Sequence, residues 1–172
     1  KINNKKEIKK SLDNLLSDKL VRGIILLADE GINGSISANE KDLIAIIRII
    51  KRLINIKKLE IKINKTDFLP FNKMKVRIKK EIVTLGRENI IVNSQSQNFI
   101  SPSKWDKILK DKNTKIIDVR NNFEIEIGTF VKSINPKTKS FREFPEKLKK
   151  LKIDKNAKVA IFCTGGIRCE KA

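Results

Sequence analysis

The sequence predicts a mixed α/β chain in two domains, an α+β unit followed by a parallel α/β unit. Three observations carry this. In the first half, two stretches of helical period alternate with short apolar or alternating runs, in the order helix, strand, hairpin strand, helix, strand. From Ile100 onward, apolar strands alternate one by one with helical segments, the pattern of right-handed crossovers over a parallel sheet. Between the halves lies a polar stretch containing Asn93-Ser-Gln-Ser-Gln-Asn98. At 172 residues the chain is long enough for one large or two small cores.

The elements follow in order. Ile8, Leu12, Leu15 and Leu16 fall at helical spacing between Lys5 and Leu16, with charges opposite them, which predicts an amphipathic helix. Val21 to Ala28 is an apolar strand. Asp29-Glu30-Gly31-Ile32-Asn33-Gly34 holds residues that tolerate positive φ and turns the chain into a second strand beginning Ser35-Ile36-Ser37. Asp29 and Glu30 read either as a hairpin turn or as a paired-carboxylate site. Asn39 caps a helix whose inner stripe is Leu43, Ile46, Ile47, Ile50 and Leu53. Leu59-Glu-Ile-Lys-Ile63 alternates as a strand. That order is the ferredoxin-like split βαβ arrangement lacking its first strand, and the expectation is a strand ahead of Lys1.

Lys73-Met-Lys-Val-Arg-Ile-Lys79 alternates most clearly. A period of two puts Met74, Val76 and Ile78 on a core face and Lys73, Lys75, Arg77 and Lys79 on the other. A row of cations costs self-repulsion unless an anion answers it, so a nucleic-acid backbone is the preferred partner; the bland alternative is a solvated edge strand guarded by lysine. Phe68 and Phe71, just ahead of it, suit core packing better than base stacking. The first domain is expected over 1–88 and the connection over 89–99, with the second domain over 100–172.

In the second domain Ser101 and Pro102 open a helix with Trp105, Ile108 and Leu109 inward. Ile116 to Val119 is a strand, Glu124 to Gly128 a short crossover helix and its end, and Phe130 to Ile134 another strand. Phe141 to Pro145 leads into a helix carrying Leu148 and Leu151, and Val159 to Phe162 returns to the sheet.

That last strand delivers Cys163-Thr164-Gly165-Gly166-Ile167-Arg168-Cys169 to the carboxyl edge of the sheet, where open α/β folds place their chemistry. Two glycines let consecutive N–H groups converge on one point, and such a nest favours an anion. The Cys163 thiolate is the natural anion, with Arg168 and a helix opening after it lowering the thiol pKa. Cys169 is placed either to resolve an oxidised or persulfidated Cys163 or simply to pack.

Composition narrows the chemistry. There is no histidine, which excludes Cys–His and Ser–His catalysis within the chain, and two cysteines without imidazole cannot fill a zinc tetrahedron, so no metal is expected. Lys and Arg number 39 against 20 acidic residues, a net +19 spread over both halves. Such a balance suits a polyanion, with nucleic acid ahead of a membrane, although the abundance of Lys, Ile and Asn points to coding bias as part of the cause. No apolar run spans a membrane and the polar start is no signal peptide, so a cytoplasmic protein with reduced thiols is expected.

Cys163-x-x-Gly166-x-Arg168, preceded by Asp118-Val119-Arg120 and by Glu124 with Gly128, resembles the rhodanese domain. Together with Ala28-Asp-Glu-Gly-Ile-Asn-Gly34, Lys80-Glu-Ile-Val-Thr-Leu-Gly86 and the run from Cys163 to Ala172, it resembles the bacterial rhodanese-domain family of tRNA uridine hydroxylases, which form 5-hydroxyuridine at the wobble position. The resemblance implies an acylphosphatase-like, tRNA-contacting first domain and a rhodanese-like second domain that this chain leaves incomplete. It implies tRNA, at its anticodon loop, as partner, with neither DNA nor a membrane, and molecular oxygen as co-substrate with no other cofactor evident. Asp118 and an Arg120–Glu124 pair are then expected to brace the loops, direct substrate contact by Arg120 being the minority reading. Rhodaneses often carry His where this chain has Thr129, and they continue past the cysteine loop through a helix and a strand, so activity of this piece alone is left open. Two other readings stand beside hydroxylation: sulfur transfer through a Cys163 persulfide, and a non-catalytic tRNA-binding module.

Overall fold

A computed structural model describes residues 1–56, 59–87, 90 and 99–172. The chain forms two compact units, Lys1–Ile82 and Val83–Ala172.

In the first unit, α1 (Lys5–Ser17) leads into the hairpin of β1 (Arg22–Ala28) and β2 (Gly31–Ser37), followed by α2 (Glu40–Leu53) and β3 (Met74–Ile78). Asn39 caps α2 as its position predicts, its side-chain oxygen accepting the Asp42 N–H at 2.9 Å. The sheet runs β2-β1-β3, with β1 antiparallel to β2 and parallel to β3. Leu12 and Leu16 of α1, Ile46 and Ile50 of α2, and Ile25, Leu27 and Val76 of the sheet close one core. Alternation decides what the other face shows. In register beside half-buried Ile24 and Leu26 of β1 lie Lys75 and Arg77 of β3.

Two expectations change here. Leu59–Ile63 forms no strand: Leu59 packs against the core, but Ile61 and Ile63 are 40% and 69% exposed. Alternation of side chains makes a strand only where it pairs with a neighbouring backbone, and among the described residues the sheet is β2-β1-β3 alone. Phe68 is not in the core but 71% exposed, while Phe71 is half-buried.

The second unit carries α3 (Pro102–Lys110), β4 (Thr114–Asp118), α4 (Asn122–Ile127), a 3₁₀ turn (Phe141–Glu143), α5 (Phe144–Lys150) and β5 (Lys158–Phe162). β4 and β5 pair in parallel, with Asp118 opposite Phe162 at their carboxyl ends. Leu85, Ile117, Val119, Phe141 and Phe144 form the core. Leu85 is 3% exposed there, so the stretch from Val83 belongs with this unit, ahead of the boundary expected at residue 88. The expected connection falls almost wholly outside the described residues. Trp105, Ile108 and Leu109 are half-buried rather than fully inward. The strand expected over Phe130–Ile134 reduces to one parallel bridge, Ile134 to Ile117. Its cause is local: Lys132 sits at φ +66° and the Ser133 N–H bonds back to the Phe130 carbonyl at 3.1 Å, a turn that no extended strand accommodates. Among the described residues no helix is long and apolar enough to cross a membrane.

Candidate active site

Cys163 stands one residue beyond β5, where the strand's hydrogen-bonded geometry ends and the glycine loop begins. Gly166 adopts φ +78°, a left-handed conformation that residues with a Cβ rarely take, and this reversal curls the loop. The backbone N–H groups of Gly165, Arg168 and Cys169 converge on the Cys163 sulfur, and the Cys169 thiol donates to it. These donors hold the Cys163 thiol down to about 5 from an ordinary 9.0, the Cys169 thiol contributing most and burial opposing. The Cys169 thiol is pushed far up, because ionising it would break its bond to Cys163 and bury a second charge.

The expected nest is therefore present, but of its expected supports one is missing and the other is shared. Residues 167–171 form turns rather than a helix, with the Lys171 N–H reaching the Arg168 carbonyl at 3.1 Å, so amides and a thiol, not a helix dipole, stabilise the anion. Arg168 supports the Cys163 sulfur by charge and a hydrogen bond, as expected, but directs its guanidinium chiefly to Glu124, with Nη1 to Oε2 at 2.6 Å and Nη2 to Oε1 at 2.7 Å. Glu124 also accepts the Thr164 hydroxyl at 2.8 Å and the Asn121 N–H at 3.1 Å. Arg168 above all holds the Glu124 carboxyl down to about 2. Glu124 thus pairs across the fold with Arg168 instead of with Arg120.

Arg120 pairs with Asp118 at the end of β4. Asp118 is fully buried and accepts from Arg120 Nε at 3.0 Å and Nη2 at 2.7 Å, and from the Arg120 N–H at 3.1 Å. Nη2 also reaches the Gly128 carbonyl at 2.6 Å. Thr129, standing where rhodaneses often carry His, donates its hydroxyl to Asp118 at 2.7 Å. The two carboxylate–arginine pairs therefore have partners other than the Arg120–Glu124 pair expected from the sequence.

Beside the sulfur opens a cavity of about 350 Å³ lined by Arg120, Gly128, Thr129, Phe130, Phe162, Cys163 and Thr164. Phe130 and Phe162 meet edge to face at 4.9 Å between centroids, and Trp105 packs against both at 5.7 and 5.9 Å. Sequence reading missed these rings. Phe162 was detectable as the residue before the cysteine, whereas Phe130 reaches the site through a turn that no periodicity announces. Arg168 does not line the cavity, and Gly165 is exposed while Ile167 and Cys169 are half-buried. Lys73, Lys75, Arg77 and Lys79 lie in the first unit, all exposed, on and beside β3. Asp29 ion-pairs with Lys5 and Glu30 accepts the Ile82 N–H, so each of the two carboxylates has a partner within the first unit.

A parallel strand ending on a cradled thiolate, beside a second strand ending in Asp118 and Arg120, defines a rhodanese-like cysteine-loop protein. Comparison with known families agrees: residues 101–172 match the rhodanese-like domain, and residues 1–82 match the UPF0176 acylphosphatase like domain. The chain is 45% identical, over 173 residues, to the tRNA uridine(34) hydroxylase of Pelagibacter ubique (strain HTCC1062), covering 100% of this chain and 56% of that protein. It is 42% identical over 168 residues to the protein of that name from Picosynechococcus sp. (strain ATCC 27264 / PCC 7002 / PR-6), covering 97% of this chain and 56% of that protein. A Rickettsia akari (strain Hartford) protein so named is 43% identical over 155 residues, 90% of this chain and 63% of that protein. The chain thus carries an acylphosphatase-like domain followed by a rhodanese-like one, is similar to these proteins over nearly all of its own length, and spans little more than half of theirs.

Proposed function

We propose that the protein of which this chain forms part hydroxylates the wobble uridine of tRNA, with Cys163 as the reacting thiolate. The observation that carries the reading is the thiolate's position. It opens onto an aromatic-walled cavity of about 350 Å³, within the range of small-molecule sites (~300–1,000 Å³) and suited to a single unstacked base. The names and identities of the relatives supply the reaction. An anticodon loop presents such a base in single-stranded form, which makes it the favoured region of the tRNA.

In this proposal Cys163 adds to uracil C6, breaking the C5–C6 double bond and moving its electron pair toward C5 and the C4 oxygen. Molecular oxygen then delivers one atom to C5. The second leaves as water with two electrons and two protons from a reductant of the soluble thiol class. Loss of the C5 proton expels the thiolate and restores the double bond. The loop amides hold the sulfur anion before addition and after release. No metal takes part, and no cofactor beyond oxygen and the reductant. Lys73, Lys75, Arg77 and Lys79 contact the tRNA backbone, and the cytoplasm is where reduced thiols and tRNA coincide.

Replacing Cys163→Ser in the protein at the length of its relatives is expected to abolish 5-hydroxyuridine in tRNA, read by nucleoside mass spectrometry. Persistence of the modified nucleoside refutes the proposal. A stable gain of one sulfur on Cys163 from thiosulfate, without 5-hydroxyuridine formation, replaces it with sulfur transfer.

A further inference from the structure

We infer that the cavity beside Cys163 is a uracil-selective base slot, in which Phe130 offers the stacking surface and Arg120 Nη1 reads a carbonyl oxygen. The inference rests on the hydroxylase reading for the identity of the base, and on the following geometry for everything else.

Phe130 is 41% exposed yet fixed by edge contacts to Phe162 and Trp105, so it forms a rigid ring surface at the cavity wall. A flat apolar ring held in this way suits base stacking, which any base can provide. Selectivity has to come from the polar lining. Arg120 has five N–H donors and accepts nothing. Its Nε and Nη2 are engaged by Asp118 and the Gly128 carbonyl, and its guanidinium lies 5.6 Å from the Phe162 ring centroid. Those contacts fix the plane of the fork and leave Nη1 with no hydrogen-bond partner among the described residues. The hydroxyl protons of Thr129 and Thr164 go to Asp118 and Glu124, and their oxygens already accept from Ser133 Oγ at 2.8 Å and Arg168 Nη2 at 3.3 Å, which leaves each one lone pair to accept with.

The lining thus offers a charged donor from a side chain and hydroxyl oxygens able only to accept. Uracil answers both, with carbonyl oxygens for the guanidinium and an N3–H for a hydroxyl oxygen. Cytosine presents an amino group at C4 and an acceptor at N3, setting donor against donor and acceptor against acceptor. The same guanidinium stands where negative charge gathers on the C4 oxygen after thiolate addition. Arg168 cannot take that role, because it is held by Glu124 and does not line the cavity.

The test uses alkylation of Cys163 by iodoacetamide, followed by mass spectrometry, in the protein at the length of its relatives, with uridine 5′-monophosphate and cytidine 5′-monophosphate as protecting probes. Uridine monophosphate is expected to protect at a roughly tenfold lower concentration than cytidine monophosphate, the worth of one charged hydrogen bond. Phe130→Leu, which keeps apolar volume without the flat ring, is expected to weaken both probes about tenfold with their ratio unchanged. Arg120→Lys is expected to bring the ratio to within about twofold, since an ammonium drawn to Asp118 lacks the fork that also presents a donor. Equal protection by the two nucleotides, protection by neither, or a Phe130→Leu protein protected like the parent overturns the slot. If Arg120→Lys fails to fold, the parent ratio and Phe130→Leu still decide. Formation of 5-hydroxyuridine is read separately: selective protection without hydroxylation refutes the reaction and leaves the slot, whereas hydroxylation with equal protection refutes the slot alone.

Discussion

The two units use their cations in opposite ways. In the rhodanese-like unit, Arg120 and Arg168 are each forked onto a carboxylate and largely buried, with side chains 18% and 14% exposed. In the acylphosphatase-like unit, Lys73, Lys75, Arg77 and Lys79 are exposed and have no carboxylate partner among the described residues. A paired arginine gives up its long-range field and gains a fixed plane, which shapes a pocket to within a fraction of an ångström. An unpaired surface cation keeps its field and no fixed geometry, which suits a backbone of repeating phosphates. On the proposed function, one arrangement selects and the other attracts.

The largest effect that tests this contrast belongs to the thiol. The rate of Cys163 alkylation against pH is expected to inflect near 5 rather than near the ordinary 9.0, and Cys169→Ala, which removes the strongest donor, to move the inflection upward. Because the folded value is the lower one, ionisation stabilises the fold fully only above the unfolded value, and this contribution disappears as pH falls through about 5. An inflection near 9 with the fold intact means that the cradle does not hold an anion.

Next in size is Glu124→Gln. It leaves Arg168 without its counter-charge in a mostly buried position, and a loss of about 2 kcal/mol in stability is expected, read as a fall in Tm. In the parent protein this pair's contribution is complete above the ordinary carboxylate value of 4.5 and lost as pH falls toward 2. Wild-type stability in Glu124→Gln assigns the brace elsewhere.

The smallest effects are on the open sheet. Lys75→Gln and Arg77→Gln are each expected to lower the salt slope of tRNA binding by about one, while shifting stability by less than about 0.5 kcal/mol. Neither should move the Cys163 profile. An unchanged slope returns these residues to the role of a guarded edge strand.

Much of this was legible along the chain, and what was legible had local causes. The alternation from Lys73 to Lys79 reports the strand Met74–Ile78 because side-chain direction follows backbone period, but Ile78, expected on the core face, is 39% exposed. Asn39 reports a helix start because its side chain satisfies an N–H three residues on. Leu59–Ile63 shows the limit: the same alternation forms no strand, since pairing depends on a neighbour that sequence spacing does not reveal. Phe130 shows another, reaching the cavity through a turn at Lys132.

By itself the sequence marked the sulfur on which the loop amides gather, because a glycine-rich loop at a strand's end can curl its N–H groups onto the side chain that opens it. It also determined that one strand faces outward with like charge. Only the tertiary structure decided that Arg168 belongs to Glu124 and Arg120 to Asp118, and that Phe130 and Phe162 wall the cavity with Trp105 packed behind them. Partners 44 residues apart, as Glu124 and Arg168 are, leave no local periodicity to read. Which carboxylate meets which guanidinium is settled by where folded strands end.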